Sequence, residues 1–436
     1  MKHSKHAEQV ELLPYIGKWV LLAVLVALLA GSASALFLFA LDRATGWREA
    51  HAWIIWLLPL AGFGVGWIYL RLGREVEGGN NLIIDEIHDP QKTLPLRMAP
   101  LVLGATVVSH LFGASVGREG TAVQMGAALA DQLTGLLRMD RRGRRLLIMA
   151  GISAGFASVF GTPLAGALFG LEVLSVGRMR YDAILPCFAA AVVADQVSLL
   201  WGVRHTHFAA ALAPPMGPWP LLATVAAGIV FGLAGMLFAN ATHALSDAMK
   251  KRLPYAPLRP FIGGGVVALA VWALGTRRYI GLGVPTIVES FQRQLPPWDF
   301  LGKMAFTVAS LGSGFKGGEV TPLFYIGATL GNALAPLLHL PFATLAALGF
   351  VAVFAGAANT PIASTVMAIE LFGPAIGPYA GIACVVSYLF SGHTGIYRAQ
   401  RVGHAKHFRH IPDGMKLGQI AQYRKQAKKP QAPPAD

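Results

Sequence analysis

The chain contains 436 residues, of which 54% are hydrophobic and only 13% are charged, a composition that predicts a membrane protein. The net charge of +14 lies mostly in termini and loops, at 2–5, 138–145, 398–409 and 424–429. Basic loops are typical of the positive-inside bias and of contact with anionic membrane lipid. No nucleic-acid-binding motif accompanies the charge, so nucleic acid is excluded as a partner.

The first apolar segment, 19–40, carries no charge. It meets the length of ~20 residues that a helix needs to span the hydrocarbon core. A signal peptide is the competing interpretation, because Ser32-Ala-Ser-Ala35 resembles a cleavage site. The apolar run is longer than a signal core and continues past that site, so we interpret it as a membrane helix.

Further apolar segments follow, and many contain internal glycine or proline or are too short to span cleanly: 52–70, 100–116, 146–176, 183–203, 217–243, 258–275, 304–315, 322–358, 361–372 and 374–390. Membranes tolerate broken helices only where their backbone is buried or lines a cavity. The alternation in segments of roughly ten residues that marks a β-barrel is absent. We therefore expect an all-α polytopic membrane bundle with broken and half-length helices.

Two parts of the chain repeat each other. The stretch GREGT at 117–121 matches GGEVT at 317–321, and further on a Thr-Pro pair precedes Glu172 as another precedes Glu370, with the same spacing. In a membrane protein, a duplication interrupted by glycine and proline is typical of a transporter whose halves meet at a midplane ion site. Carboxylates in such segments are costly unless they serve the transported ion or a proton.

The duplication predicts one membrane domain of two halves. We place the first half at 15–203 and the second, inverted half at 217–405, joined near the proline-rich stretch 214–218. The remaining 406–436 form a basic tail that is too short for a folded regulatory domain. We expect this tail to be mobile at a membrane surface.

Asn80 is the first candidate site residue along the chain, since it follows Gly78-Gly79 at the start of an apolar stretch. The simpler interpretation is an N-capping asparagine in a loop. Beside two other glycine-led helix starts, the stretch instead indicates one wall of a shared anion site. Its amide would then face the transported ion.

Glu119 follows Gly117 at the start of the next candidate helix. Glycine lets the backbone turn tightly, and the free N–H groups of a helix start attract an anion together with the helix dipole. A carboxylate there occupies the anion site when ionised and vacates it when protonated, which is a physical basis for exchanging an anion against a proton. The alternative is a glutamate that only complements the helix dipole.

Thr321 and Tyr397 are candidate hydroxyl donors in the second half. Thr321 stands just ahead of a proline that suits the first turn of a helix. Tyr397 follows Gly392-His-Thr-Gly-Ile and could point its phenol into the cavity. By itself, a tyrosine at this place is more typical of a membrane interface.

Other charged residues near these motifs have two interpretations each. Glu319 is either a helix-start dipole partner or a second proton carrier, and we favour the second because two close carboxylates raise each other's proton affinity. Glu172 and Glu370 are interpreted as structural, facing water or loop donors. Arg118 and Lys316 either attract anions or pair with their neighbouring glutamates.

Together these motifs resemble the CLC family of chloride channels and anion/proton antiporters. The stretch GNNLI at 79–83 aligns with the family motif GSGIP, and GREGT at 117–121 aligns with GREGP. The stretch GGEVTP at 317–322 aligns with GGxFxP. Tyr397 matches the tyrosine of the last helix, and 164–172 matches the helix that follows Thr-Pro. Four motifs in the right order, spanning nearly the whole membrane region, make the resemblance specific.

The departures from the family pattern resemble its fluoride-exporting branch. Asn80 replaces the first-motif serine, Thr121 the proline of the second motif, and Val320 the phenylalanine of the third. Val173 stands where chloride/proton antiporters carry the inner proton glutamate. Fluoride is small and strongly hydrated, so its dehydration calls for several convergent hydrogen-bond donors.

The resemblance implies a fluoride/proton antiporter that exports fluoride across a bacterial inner membrane, with Glu119 as the gating glutamate and Glu319 as a second proton carrier. Asn80, Gly117, Thr321 and Tyr397 would then bind the anion. The resemblance also implies a homodimer, for which we expect the apolar segments 160–176 and 361–390 to form the contact. The alternatives are a chloride/proton antiporter and a passive anion channel of the same fold.

An enzyme is not expected, because the chain shows neither a nucleophile–base pair nor the paired aspartates of an intramembrane hydrolase. No cofactor is expected. The two cysteines, Cys187 and Cys384, lie in apolar segments without metal-ligand spacing, so no metal site is expected either.

Overall fold

The computed structural model describes residues 8–206, 208, 213–407 and 411–427. This part of the chain is mostly helical, with seventeen α-helices: α1 (Glu8–Ala50), α2 (Leu58–Leu72), α3 (Asn80–His88), α4 (Met98–Phe112), α5 (Glu119–Leu136), α6 (Arg141–Phe160), α7 (Pro163–Glu172), α8 (Ile184–Leu200), α9 (Pro218–Arg252), α10 (Leu258–Leu274), α11 (Val284–Ser290), α12 (Asp299–Ser313), α13 (Val320–Leu338), α14 (Phe342–Ala358), α15 (Pro361–Phe372), α16 (Gly377–Phe390) and α17 (Leu417–Ala427). Two short strands, β1 (Ser175–Val176) and β2 (Arg401–Val402), pair in parallel.

The helices fall into long and short sets. Across the described residues, six helical segments are long and apolar enough to cross a membrane. Five apolar helices of 10–17 residues are shorter, and they include α4, α14 and α15. Helix α1 continues without a break past the candidate cleavage site near residue 35. The predicted all-α polytopic bundle with broken and half-length helices is confirmed.

Two helix pairs form the buried centre of the bundle, α5 with α6 and α13 with α14. Glycines face each other at both crossings. A Cβ on Gly126 would lie 2.2 Å from the carbonyl oxygen of Gly151, and a Cβ on Gly327 would lie 2.0 Å from that of Gly349. Since small residues allow helices in a membrane to approach closely, both crossings depend on glycine. The crossings occupy corresponding places in the two repeated stretches.

The short helices α7 and α15 cap each other through two glutamates. The second and third residues of α15 donate their backbone N–H groups to the carboxylate of Glu172, at 3.1 and 2.8 Å. The same residues of α7 donate to Glu370, at 2.9 and 2.8 Å. A carboxylate at a helix start contributes about 0.3–2 kcal/mol. The donors to both glutamates are therefore helix starts of the opposite half, and not water or loop groups as the sequence suggested.

A small layer lies against one end of the bundle. Strand β2, which follows the last membrane helix, pairs with β1, which follows α7. Helix α17 packs on this pair and buries Leu417 and Ile420 beside Val176 and Val402. Part of the segment that we expected to be a mobile tail is thus folded, while 408–410 and 428–436 lie outside the described residues.

Candidate ion-transport site

Two glycine-led loops cross where helices α5 and α13 begin. Gly117 and Gly318 exchange both backbone hydrogen bonds, at 2.6 and 2.9 Å, in an antiparallel bridge. A Cβ on Gly120 would lie 3.1 Å from both the Asn80 amide nitrogen and the Cα of Gly318. The absence of side chains here lets the starts of α3, α5 and α13 meet, with their N–H groups near one point.

The carboxylate of Glu119 lies at the start of α13, in the other half of the chain. The Thr321 hydroxyl contacts both carboxylate oxygens at 2.7 Å, and the Thr321 backbone N–H donates to Oε2 at 3.1 Å. Arg118 adds its own backbone N–H at 3.3 Å and its guanidinium at 3.5 Å. Glu119 is fully buried, and its carboxyl group occupies a place that would suit a free anion.

A first cavity of about 270 Å³ lies on one side of the loop crossing, and we call it the Asn80 cavity. Its lining includes Asn80, Gln124, Glu319 and Tyr397. Glu319 is partly exposed within this cavity, whereas Glu119 is not exposed at all. Its Oε2 would stand 3.8 Å from a Cβ on Gly120, which places this carboxylate beside the start of α5.

A second cavity of about 430 Å³, here called the Arg118 cavity, is lined by Arg48, Arg118 and Arg204 among others. A narrow space of about 20 Å³ continues from Arg118 to Glu119 and Thr321. Neither this space nor the Arg118 cavity shares a lining residue with the Asn80 cavity. The contact between Glu119 and Thr321 therefore lies between two separate cavities, as a gate would.

All six predicted site residues lie at or beside this crossing. Gly117 forms the bridge, Thr321 holds Glu119, and Asn80, Glu319 and Tyr397 line one cavity. The Oδ1 of Asn80 is buried without a hydrogen-bond partner in the described part of the chain. Tyr397 is only 3% exposed, and the charges of both glutamates act on its hydroxyl. The arrangement offers several donors and two carboxylates around one space.

Val173 has no carboxylate to offer at the inner proton position. Its side chain is buried, and its carbonyl accepts a hydrogen bond of 2.7 Å from the amide of Gln400. Gln400 also donates to the carbonyl of Ala358 at 2.8 Å. This part of the structure is a buried amide network, and the carboxylates that line the Asn80 cavity belong to Glu77 and Glu319.

Sequence reasoning missed an aromatic group beside the contact between Glu119 and Thr321. Phe160, Phe208, Phe324 and Phe350 line the narrow space that contains Glu119. Phe324 stacks on Phe350 with ring centroids 4.1 Å apart, and Phe160 lies 5.0 Å from Phe324. Ring edges carry partial positive charge and can face an anion. The available signal was local, since Phe160 opens the first Thr-Pro repeat and Phe324 lies one turn after Thr321.

Gln124 and Lys316 also line the Asn80 cavity, and neither was among the predicted site residues. A Cβ on Gly79 would lie 3.3 Å from the Oε1 of Gln124, so this amide stands against the start of α3. Lys316 lines the Asn80 cavity with its ammonium 4.1 Å from the ring centroid of Tyr69. Within the described residues Lys316 forms no ion pair with the neighbouring Glu319, although both residues line this cavity together with Glu77.

Comparison with known sequences agrees with this geometry. The sequence profile described as "Voltage gated chloride channel" matches residues 61–392. A relative from Pseudomonas syringae pv. tomato, "Chloride/fluoride channel protein", is 67% identical over 433 residues, covering 98% of this chain and 96% of its own. An "H(+)/Cl(-) exchange transporter" from Cronobacter sakazakii is 26% identical over 388 residues, covering 81% of each chain.

Comparison with solved structures agrees as well. A crystal structure of a CLC-type fluoride/proton antiporter superposes with a TM-score of 0.86 at 36% identity, covering 88% of this chain and 98% of that one. A slow cyanobacterial Cl⁻/H⁺ antiporter shares the fold, with a TM-score of 0.78 at 20% identity and coverage of 95% and 99%. The chain is a multi-pass membrane protein of the CLC family, whose members are transporters and channels, and its resemblance to the fluoride-exporting branch is confirmed.

Proposed function

We propose that the protein is a fluoride/proton antiporter that exports fluoride from the cytoplasm and is gated by Glu119. The observation that carries this proposal is the position of the Glu119 carboxylate, held at the start of α13 by Thr321 between two separate cavities. A carboxylate and a fluoride ion would compete for the same N–H and O–H donors there.

The exchange follows from the charge on Glu119. When the carboxylate is ionised, it occupies the Thr321 donors and closes the path. A proton from the Arg118 cavity removes this charge, so the Thr321 donors are released for fluoride, which leaves through that cavity. Passage of the proton onward to Glu319 and the Asn80 cavity ionises Glu119 again and returns the carboxylate to Thr321. One anion path thereby moves fluoride in one direction and protons in the other.

Glu319 is proposed as the second proton carrier. It lines the Asn80 cavity next to the start of α5, while Val173 leaves the inner proton position without a carboxylate. A proton on the cytoplasmic side of the gate then needs another acceptor close to the anion. Glu319 is partly exposed to the cavity and can take up this role with little rearrangement.

Fluoride as the transported anion is supported by the hydrogen-bond donors around the site and by the names of similar proteins. Asn80, Thr321 and Tyr397 offer an amide and two hydroxyls to an ion that accepts hydrogen bonds strongly. A relative at 67% identity is named a chloride/fluoride channel protein, and a solved structure at 36% identity is a fluoride/proton antiporter. The first of these names also supports the alternative of a passive channel, and chloride/proton exchange is the other alternative.

The Asn80 cavity is proposed to face the cytoplasm of a bacterium across its inner membrane. Helix α9 ends on this side with Lys250, Lys251 and Arg252, and Lys250 lines the cavity. Short loops rich in lysine and arginine lie on the cytoplasmic side of membrane proteins. Fluoride would therefore enter at Asn80 and Lys316 and leave through the Arg118 cavity.

A homodimer is proposed through the faces of α7, α15 and α16. Leu164 and Ile362, which follow the first residues of α7 and α15, are 45% and 47% exposed, and Val385 on α16 is 48% exposed. Short helices leave backbone groups at membrane depth that must be covered by protein. A second copy on this face would cover them. A single-chain mass by light scattering in mild detergent would contradict this assembly.

The proposed function is tested with the purified protein in liposomes under an outward fluoride gradient or an equal chloride gradient. Fluoride release should be accompanied by proton uptake into the vesicles, and chloride should be released far more slowly. Fluoride release without proton movement would favour the passive channel. Equal coupled fluxes of both ions would favour a general anion/proton exchanger.

A further inference from the structure

A cationic pocket lies away from the ion path, beneath the β1–β2 pair. This arginine pocket, of about 260 Å³, is lined by Arg178, Arg180 and Arg401 together with His88 and Asp413. Arg178 follows β1 and Arg401 begins β2, so the pocket joins the two halves of the chain. None of these residues belongs to the gate or to the two cavities beside it.

The arginine pocket contains more positive charge than its own carboxylates can balance. Arg180 is paired with Asp182, at 2.8 and 3.0 Å. Arg178 and Arg401 have no ion pair within the described residues, and the Nε of Arg401 is buried without a hydrogen-bond partner there. A buried guanidinium nitrogen without an acceptor is costly, so this nitrogen favours the binding of an added hydrogen-bond acceptor.

The surrounding charges point to the same conclusion. Arg145, Arg180 and Arg401 all lie close enough for their charges to act on the His88 ring. Among the described residues, Asp413 is the only acidic residue that lines the pocket. His88 itself is engaged, with Nε2 2.9 Å from the carbonyl oxygen of Leu174. The field in the pocket is therefore positive and favours an anion with several oxygens.

We propose that the arginine pocket binds a phosphate group. Guanidinium groups match the oxygens of phosphate in a forked geometry, and two of them here are free of carboxylate partners. Arg401 is three residues after Arg398, which lines the Asn80 cavity, so in the orientation proposed above the pocket opens to the cytoplasm, where anionic lipid headgroups and free phosphate are both available. A bound phosphate would tie β2, four residues after Tyr397, to β1 of the first half.

The test uses the full-length protein in a neutral detergent and measures its thermal unfolding midpoint. The probes are short-chain phosphatidic acid, short-chain phosphatidylcholine and inorganic phosphate, each at the same ionic strength. The variant is Arg178→Ala/Arg401→Ala, which leaves the backbone pairing of β1 and β2 in place. Arg252→Ala is the matched control, since it removes an exposed arginine at the end of α9 on the same side.

Phosphatidic acid should raise the midpoint in the wild type and in Arg252→Ala, as expected for a ligand that binds the folded state. The double variant should bind it about tenfold more weakly or worse, because charged hydrogen bonds are lost. Stabilisation by inorganic phosphate as well would assign the pocket to any phosphate group, and stabilisation by phosphatidic acid alone would assign it to a lipid headgroup. No shift with either, or an equal shift in the double variant, would overturn the proposal.

Discussion

Thr321→Val removes one hydroxyl from the gate and little else. Valine has the branched shape of threonine, and the backbone N–H of residue 321 still reaches Glu119 Oε2 at 3.1 Å. The lost contact is the hydroxyl, 2.7 Å from both carboxylate oxygens. Because a hydroxyl has a single proton, one hydrogen bond to a charged group is lost.

The magnitude follows from that one bond. A hydrogen bond to a charged group contributes about 1.5–3 kcal/mol, and a factor of ten corresponds to about 1.4 kcal/mol. The equilibrium constant for binding of the Glu119 carboxylate at the start of α13 should fall by about ten- to a hundredfold. The same hydroxyl is proposed to donate a hydrogen bond to fluoride once the carboxylate has left. The rate of coupled exchange should therefore fall by about tenfold or more.

The assay is fluoride release from liposomes with simultaneous recording of proton uptake. Thr321→Ser keeps a hydroxyl and should retain most of the activity. Thr121→Val is the matched control, because Thr121 holds the corresponding position in the first repeat but bonds Thr106 at 2.8 Å instead of the glutamate. Wild-type exchange in Thr321→Val, or an equal loss in Thr121→Val, would refute the assignment of Thr321 to the gate.

Two further predictions concern the Asn80 cavity. Asn80→Ser should shift the ratio of fluoride to chloride flux toward chloride, because one amide donor is lost and the cavity widens. The two fluxes are measured in parallel liposome assays. An unchanged ratio would place selectivity at other residues. Glu319→Gln should abolish most fluoride-coupled proton uptake while the protein elutes as the wild type does on size exclusion. A correctly assembled Glu319→Gln variant that moves protons at the wild-type rate would reduce Glu319 to a helix-start residue.

The helix starts of the site were predictable because their signals are local. Glycine before Asn80 and Glu119, and proline after Thr321, mark where a helix begins whatever surrounds it. The repeat then indicated that such starts face one another. The two glutamates at these helix starts have different contacts. The Glu119 carboxylate contacts the start of α13, whereas Glu319 faces the Asn80 cavity.

The partners of these residues were not predictable from one sequence. Glu119 and Thr321 are 202 positions apart, and no local pattern encodes which donor the carboxylate finds. The same holds for Glu172 and Glu370, whose donors are the starts of helices about 190–205 residues away. The basic composition of the tail did not predict helix α17. Its Leu417 and Ile420 pack on an apolar surface that forms only when β1 and β2 pair.

The central claim is that Glu119 couples fluoride to protons, and its most direct test compares the wild type with Glu119→Gln in fluoride-loaded liposomes. Glutamine keeps the size of the side chain but cannot gain or lose a proton at this position. The account predicts that fluoride release drives proton uptake in the wild type, and that the proton flux disappears in Glu119→Gln even where fluoride still passes. Proton uptake driven by fluoride in Glu119→Gln would contradict it.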